Sequence, residues 1–156
     1  MKVLVIGTGG VGGAAAAVAQ KRDFFERMTF ADLDPARPQA LVDRLDDGRF
    51  AAARVDASDR ASVAALAREH DVVLNATDPR FNLPIFEAAL EARCTYLDMA
   101  MSLSHPHPDQ PHELTGVKLG DEQFAVHEQW EREGRVQRGL PHEETLAILR
   151  AHGALA

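Results

Sequence analysis

Lys2-Val3-Leu4-Val5-Ile6-Gly7-Thr8-Gly9-Gly10-Val11-Gly12-Gly13 leads into the alanine-rich stretch Ala14 to Gln20. A β-branched apolar run thus ends in glycines spaced G-x-G-x-x-G (Gly7, Gly9, Gly12). Val and Ile favour strands and Ala favours helices, so the glycines fall at a strand-to-helix turn. In that setting each glycine has a task. Gly7 permits the tight turn, Gly9 lets the backbone approach a pyrophosphate, and Gly12 lets helix and strand pack closely. The helix start offers unpaired N–H groups and a partial positive charge to phosphates. Twenty positions beyond Gly12, Asp32 ends the next apolar run, where a carboxylate accepts hydrogen bonds from ribose hydroxyls. The expected ligand is a dinucleotide held by Gly7, Thr8, Gly9, Gly10, Val11, Gly12 and Asp32. A carboxylate at Asp32 repels a 2′-phosphate, so NAD is the expected cofactor, with NADP possible. Arg37, nearby in sequence, complicates that expectation.

Outward from the turn, short β-branched runs alternate with longer helical ones, the pattern of βαβ units and a parallel sheet. Strands are expected at Lys2–Ile6, Met28–Ala31, Phe50–Val55, Asp71–Leu74 and Thr95–Met99. Helices are expected at 11–22, after Asp34-Pro35 to Leu45, after a Ser58 or Asp59 cap to Glu69, and at 83–92. The fold class is therefore α/β, a Rossmann-type doubly wound parallel sheet of about five strands with a short helical C-terminal tail. Residues 1–134 form the expected dinucleotide-binding domain, and residues 135–156 a helical tail of unknown role. Within 102–118 the alternation stops in a loop with three prolines and three histidines. Asp121–Glu133 reads as one helix, with Val126 and Trp130 a turn apart on one face. Glu128, Glu131 and Glu133 read as its solvated face. Pro141–Ala151 reads as a last short helix.

In a doubly wound sheet, ligands sit outside the carboxyl ends of the strands. Those ends add Asp56, Ala57, Asn75 and Ala76 to the candidate cofactor residues. Asp56 either accepts from an adenine amino group or caps the next helix. Asn75 lies at the nicotinamide-side ribose or is an ordinary turn residue. His105, His107 and His112 match no zinc spacing, so no metal is expected. Cys94, the single cysteine, reads as a small buried hydrophobe rather than a nucleophile.

The chain has 156 residues, with 46% apolar and 26% charged residues, the composition of a soluble globular domain. A net charge of −7 without a basic stripe argues against nucleic acid or an anionic membrane. The first residues imitate a secretory signal, but five glycines within 7–13 make a poor apolar helix. A cytoplasmic location is expected.

The elements Asp32-Leu33-Asp34, Val55-Asp56-Ala57, Asn75-Ala76, Thr95-Tyr96-Leu97-Asp98-Met99-Ala100 and Gly116–Ala125 accompany the glycine turn. With them the chain resembles, from Met1 to about Gly134, the N-terminal domain of the saccharopine dehydrogenase/reductase-like oxidoreductases. That resemblance implies an NAD(P)-dependent enzyme acting by hydride transfer at a C–N bond of an amino-acid or polyamine-type substrate. Family members continue past this point into a large substrate domain. The residues here are expected to be a truncated dinucleotide domain that needs a second domain or subunit for substrate, with no assignable catalytic residue. A non-catalytic module that binds or senses NAD(H) is the alternative, and a remnant with an unfinished sheet edge a third. Such an edge also favours association with another copy.

Overall fold

A computed structural model of the chain describes residues 1–99 and 102–133. Five parallel strands run β1 (Lys2–Ile6), β2 (Arg27–Asp32), β3 (Phe50–Arg54), β4 (Val72–Asn75) and β5 (Thr95–Asp98). Between them lie α1 (Gly10–Ala19), α2 (Ala36–Leu45), α3 (Arg60–Ala67) and α4 (Asn82–Ala92), the last preceded by a 3₁₀ turn at Pro79–Phe81. The strand order is β3-β2-β1-β4-β5. Order therefore reverses between β1 and β4, and the crevice above that reversal is where such sheets bind ligands.

Alternation along β1 explains why its apolar run is continuous. Val3 and Val5 join the layer with Ala16, Phe30, Leu41 and Phe50. Leu4 and Ile6 join the layer with Val63, Val73, Ile85 and Ala88 on the opposite face. A strand covered by helices on both faces has no solvent side to mark with polar residues. Leu4, Val5, Phe30, Val63, Val73 and Ile85 are wholly buried.

Local chemistry sets the helix starts. Asp34 Oδ1 accepts from the Ala36 N–H at 3.0 Å ahead of α2. For α3 the cap is Asp59, whose side chain accepts from the Ala61 and Ser62 N–H groups. Helix α2 ends with Asp46 in the left-handed region at φ 47, and α4 with Arg93 at φ 60.

One expectation changes. The single helix expected over 121–133 is broken into α5 (Asp121–Phe124) and α6 (His127–Glu133). No glycine or proline marks the break. It separates two anchors, with Gln123 bonded to Asp98 on β5 and Trp130 buried against Phe86 of α4. Val126 and Trp130 do share the core-facing side. The expected loop over 102–118 is pinched near its ends. His105 and Val117 form an antiparallel bridge, and a Cβ on Gly116 would stand 2.0 Å from the His105 carbonyl oxygen. The expected helix at Pro141–Ala151 lies outside the described residues.

Candidate dinucleotide site

The glycine turn sits at the β1 carboxyl end, held by its neighbours on both sides. Gly7 N–H donates to Ala31 O at 2.8 Å, and Ala76 N–H donates to Ile6 O at 2.8 Å. Gly7 has φ +98, and a Cβ there would meet Ala76 O at 2.7 Å. Conformation and space both demand glycine. A Cβ on Gly12 would stand 2.0 Å from Gly7 O, so helix and strand touch through the missing side chain. Gly9, the α1 N-cap, and Gly10 have nothing within 4 Å of a Cβ position. The turn is sealed at Gly7 and Gly12 and open at Gly9 and Gly10, where the free N–H groups of the helix start gather. That is the shape a pyrophosphate needs, and the residues present fit a dinucleotide.

Asp32 is bound to the glycine turn. Its Oδ2 accepts from the Thr8 N–H at 2.9 Å and the Thr8 hydroxyl at 2.7 Å. Arg37 Nη1 stands 3.7 Å from the same oxygen. The Asp32 side chain is 13% exposed and that of Arg37 is 54% exposed. The carboxylate thus clasps the glycine turn to β2, and a guanidinium flanks it toward solvent. Burial pushes the Asp32 carboxyl up. Hydrogen bonds from the Thr8 side chain and backbone, then from the Asp34 N–H, then the Arg37 charge, outweigh it and hold the carboxyl below its ordinary value. A depressed native carboxyl stabilises the fold fully above its unfolded pKa, and that contribution is lost as pH falls through the native value. Asp32→Asn is expected to cost stability at neutral pH. The difference from the parent should shrink as pH drops from about 4 downward. Urea midpoints measured across that range check it, and a pH-independent difference would refute the clasp.

Asp56 turns into its own loop, where Oδ1 accepts from the Ser58 N–H at 2.9 Å and the Ser58 hydroxyl at 2.6 Å. The Ser58 side chain, then its backbone, hold the Asp56 carboxyl below its ordinary value. Of the two readings of Asp56, the structure gives the helix cap to Asp59. Ala57 lies beside Asp56, partly buried against the α3–α4 layer.

Asn75 is 1% exposed, and its side chain is fully engaged. Oδ1 accepts from the Thr77 N–H at 3.0 Å and the Thr77 hydroxyl at 2.6 Å. Nδ2 donates to Asn82 Oδ1 at 2.7 Å and to the Tyr96 hydroxyl at 3.1 Å. Asn75 thus shapes the β4 turn from beneath, and Ala76 presents backbone toward Gly7.

Next to this turn lies a polar group that the candidate set lacks. Tyr96 and Asp98 lie two residues apart on β5. Asp98 Oδ2 accepts from Gln123 Nε2 at 2.8 Å. Burial pushes the Tyr96 phenol well above its ordinary value. The Asn75 hydrogen bond opposes this and the Asp98 charge adds to it, so the phenol stays protonated and can donate. The Tyr-Leu-Asp spacing, i and i+2 on one strand face, was the available signal for Tyr96 and Asp98. Gln123, 25 residues from Asp98, had none. A cavity of about 320 Å³ adjoins them, walled in part by Phe86, Phe124, His127 and Trp130.

His105 serves the bridge, and His107 Nδ1 accepts from the Asp109 and Gln110 N–H groups at 3.3 and 3.2 Å. Among the described residues no group of three or more metal-ligating side chains gathers. Cys94 is buried, and its Sγ–H lies 3.0 Å from the Ala67 and His70 carbonyl oxygens. No helix among the described residues is long and apolar enough to cross a membrane.

A parallel sheet that reverses at β1/β4, with a glycine turn sealed at Gly7 and Gly12, defines a dinucleotide-binding domain of the oxidoreductase type. The model of the saccharopine dehydrogenase NADP binding domain matches residues 3–136, and the chain belongs to that family. It is 32% identical over 114 residues to the carboxynorspermidine synthase of Vibrio cholerae, covering 66% of this chain and 28% of that protein. The chain thus spans little more than a quarter of that relative's length. Among solved structures, apo saccharopine dehydrogenase (L-Glu forming) from Saccharomyces cerevisiae superposes with a TM-score of 0.56 at 20% identity. That match covers 69% of this chain and 22% of the other. A wide-type short-chain dehydrogenase/reductase from Veillonella parvula, in complex with NADP, gives 0.52 at 11% identity over 65% of this chain and 48% of that one. These two show the shared fold.

Proposed function

We propose that this chain holds the nicotinamide cofactor of an oxidoreductase acting at a C–N bond of an amino-acid or polyamine-type substrate. The observation that carries the cofactor half is the turn itself, sealed at Gly7 and Gly12 and open in front of Gly9. The substrate half rests on the family and on the names of the relatives, one a carboxynorspermidine synthase and one a saccharopine dehydrogenase. Residues 1–134 are the binding unit in this reading, and 135–156 are an appendage to it.

In this assignment Gly7 to Gly12 meet the pyrophosphate, with Thr8 fixed by Asp32 so that the turn does not open. Asp56 and Ala57 border the adenine, and the Asn75-Ala76 turn borders the nicotinamide-side ribose. Bound there, the cofactor supplies hydride exchange at its nicotinamide ring. The chain's own part is to bind and orient it, because near-attack geometry is worth orders of magnitude in rate.

The choice between NAD and NADP falls to two side chains. Asp32 alone favours NAD. Its Oδ2, however, is committed to Thr8, and Arg37 lies beside it, more than half exposed. A guanidinium in that place can accommodate a 2′-phosphate, and the family description names NADP. We infer that NADP is accepted and that Arg37 meets its 2′-phosphate. Arg37→Ala is expected to weaken NADP about tenfold or more, the scale of one charge-assisted hydrogen bond, and to leave NAD nearly unchanged. Calorimetric titration with both cofactors reads this. Equal losses for both would remove Arg37 from the phosphate, and no binding of either by the parent would remove the site. Oxidation of NADH or NADPH with keto-acid and amine pairs separates an enzyme from a binding module without turnover.

A further inference from the structure

Side-chain hydrogen bonds, joined through strand β5, form a line from the β4 turn to helix α5. It begins at Thr77, whose N–H and hydroxyl donate to Asn75 Oδ1. Asn75 Nδ2 donates to the Tyr96 hydroxyl at 3.1 Å, and two residues along β5 Asp98 stands in register with Asn75 of β4. Gln123 Nε2 donates to that carboxylate at 2.8 Å, while Gln123 Oε1 accepts from the Ser102 N–H at 2.9 Å. Asn75 Nδ2 faces Asn82 and Tyr96, which leaves Asn75 Oδ1 to face Thr77 and hold the turn. The Asn75 end is buried, where hydrogen bonds are strongest and a lost partner costs most. The same turn places Ala76 O against Gly7, the sealed end of the glycine loop.

We propose that Gln123 and Tyr96 are positioning residues for the dinucleotide site. They fix the Asp98–Asn75–Thr77 line and thereby the Asn75-Ala76 turn against Gly7. Neither is required to touch the cofactor. The proposal rests on the dinucleotide reading above and assigns a role to residues outside its contact set. A segment distant in sequence, the 102–124 loop and α5, then sets how well the β4 turn is formed. Linkage makes the effect reciprocal, so cofactor binding firms the attachment of that segment by the same factor.

Gln123→Glu separates positioning from general structural support. It keeps the shape and the acceptor for Ser102 but replaces the donor with a carboxylate facing Asp98. Two carboxyls sharing a site have one raised pKa, so a proton bridges them in acid and repulsion parts them at higher pH. Cofactor affinity of Gln123→Glu is expected to match the parent in mild acid and to fall about tenfold as pH rises to neutrality. Asp121 and Glu122 of α5, His127 of α6 with its partner Glu131, and Tyr96 of β5 are other titratable groups near the pair, and the parent protein measured alongside controls for them. Gln123→Ala and Tyr96→Phe should weaken binding several-fold at every pH. Amide exchange in the free protein supplies the arm that needs no cofactor. Gln123→Ala should speed exchange at residues 75–78, and Thr77→Val should speed it across 118–124. If the parent binds and all three folded variants at Tyr96 and Gln123 bind within twofold of it, the proposal is overturned while the dinucleotide reading stands. If the parent does not bind, the dinucleotide reading fails. Exchange effects that stop at Tyr96 in both directions then overturn the line as well, and effects that cross it support the line.

Discussion

Gly9→Val is expected to lose dinucleotide binding by about 100-fold or more while keeping its fold, and Gly12→Ala to destabilise the fold itself. The two glycines are three residues apart and look alike in the motif. Gly9 has φ −73 and ψ −153, a conformation open to any residue, and nothing lies within 4 Å of its Cβ position. A branched side chain there occupies free space, the space where phosphate oxygens must reach the helix N–H groups. The folding cost is that of a poorer N-cap, about 1 kcal/mol, which moves the melting temperature by a few degrees. At Gly12 the added carbon lands 2.0 Å from the Gly7 carbonyl oxygen, a backbone atom pinned by β1. Helix α1 must shift off the sheet, at about 3 kcal/mol or more. Thermal melts and calorimetric titration on both variants check the pair. Wild-type affinity in Gly9→Val would show that the phosphates do not sit there.

Trp130→Ala is expected to destabilise the protein by about 3–5 kcal/mol, a large fraction of the stability of a domain this size. Trp130 is 1% exposed, with its ring 5.1 Å from that of Phe86, which in turn meets Tyr96 edge-on at 5.2 Å. Its removal empties the joint between α6 and α4. Trp130→Phe should cost much less, because the ring contact survives and Trp130 Nε1 has no hydrogen-bond partner to lose. Urea unfolding gives both values. A cost below about 1 kcal/mol for the alanine variant would mean that α6 is not part of the cooperative fold.

The reading of the sequence was strongest where chemistry is local. The five strands and four intervening helices stand within a few residues of their expected places. Each is announced by short-range signals: β-branched runs, Asp34-Pro35, Asp59 and the glycine turn. Asp32 was legible as an acid at the end of β2, but not as the clasp on Thr8. Its partner lies 24 residues away, and the pairing appears only once β1 and β2 are in register. Asn75 was legible as a turn residue, whereas its bonds to Asn82 and Tyr96, and the bond of Gln123 to Asp98, were not. These contacts join β4, α4, β5 and α5, and no spacing along the chain encodes them.

The break between α5 and α6 shows the same division. Residues 121–133 carry a helical pattern without a breaker, and their local propensity is for one helix. Two distant anchors, Asp98 for Gln123 and Phe86 for Trp130, outweigh a turn of helical hydrogen bonds. The sequence by itself determined the five strands and the four helices between them, the all-apolar character of the central strand, and the glycine turn, because these depend on residues within one or two turns of one another. Tertiary structure alone decided that Asp32 faces Thr8 with Arg37 alongside, that the Gly9 end of the turn stays open, and that α5 bonds to β5 through Asp98 while β5 bonds to the β4 turn through Tyr96. Each of these depends on which strands lie side by side, and strand order is set by the burial of both sheet faces at once.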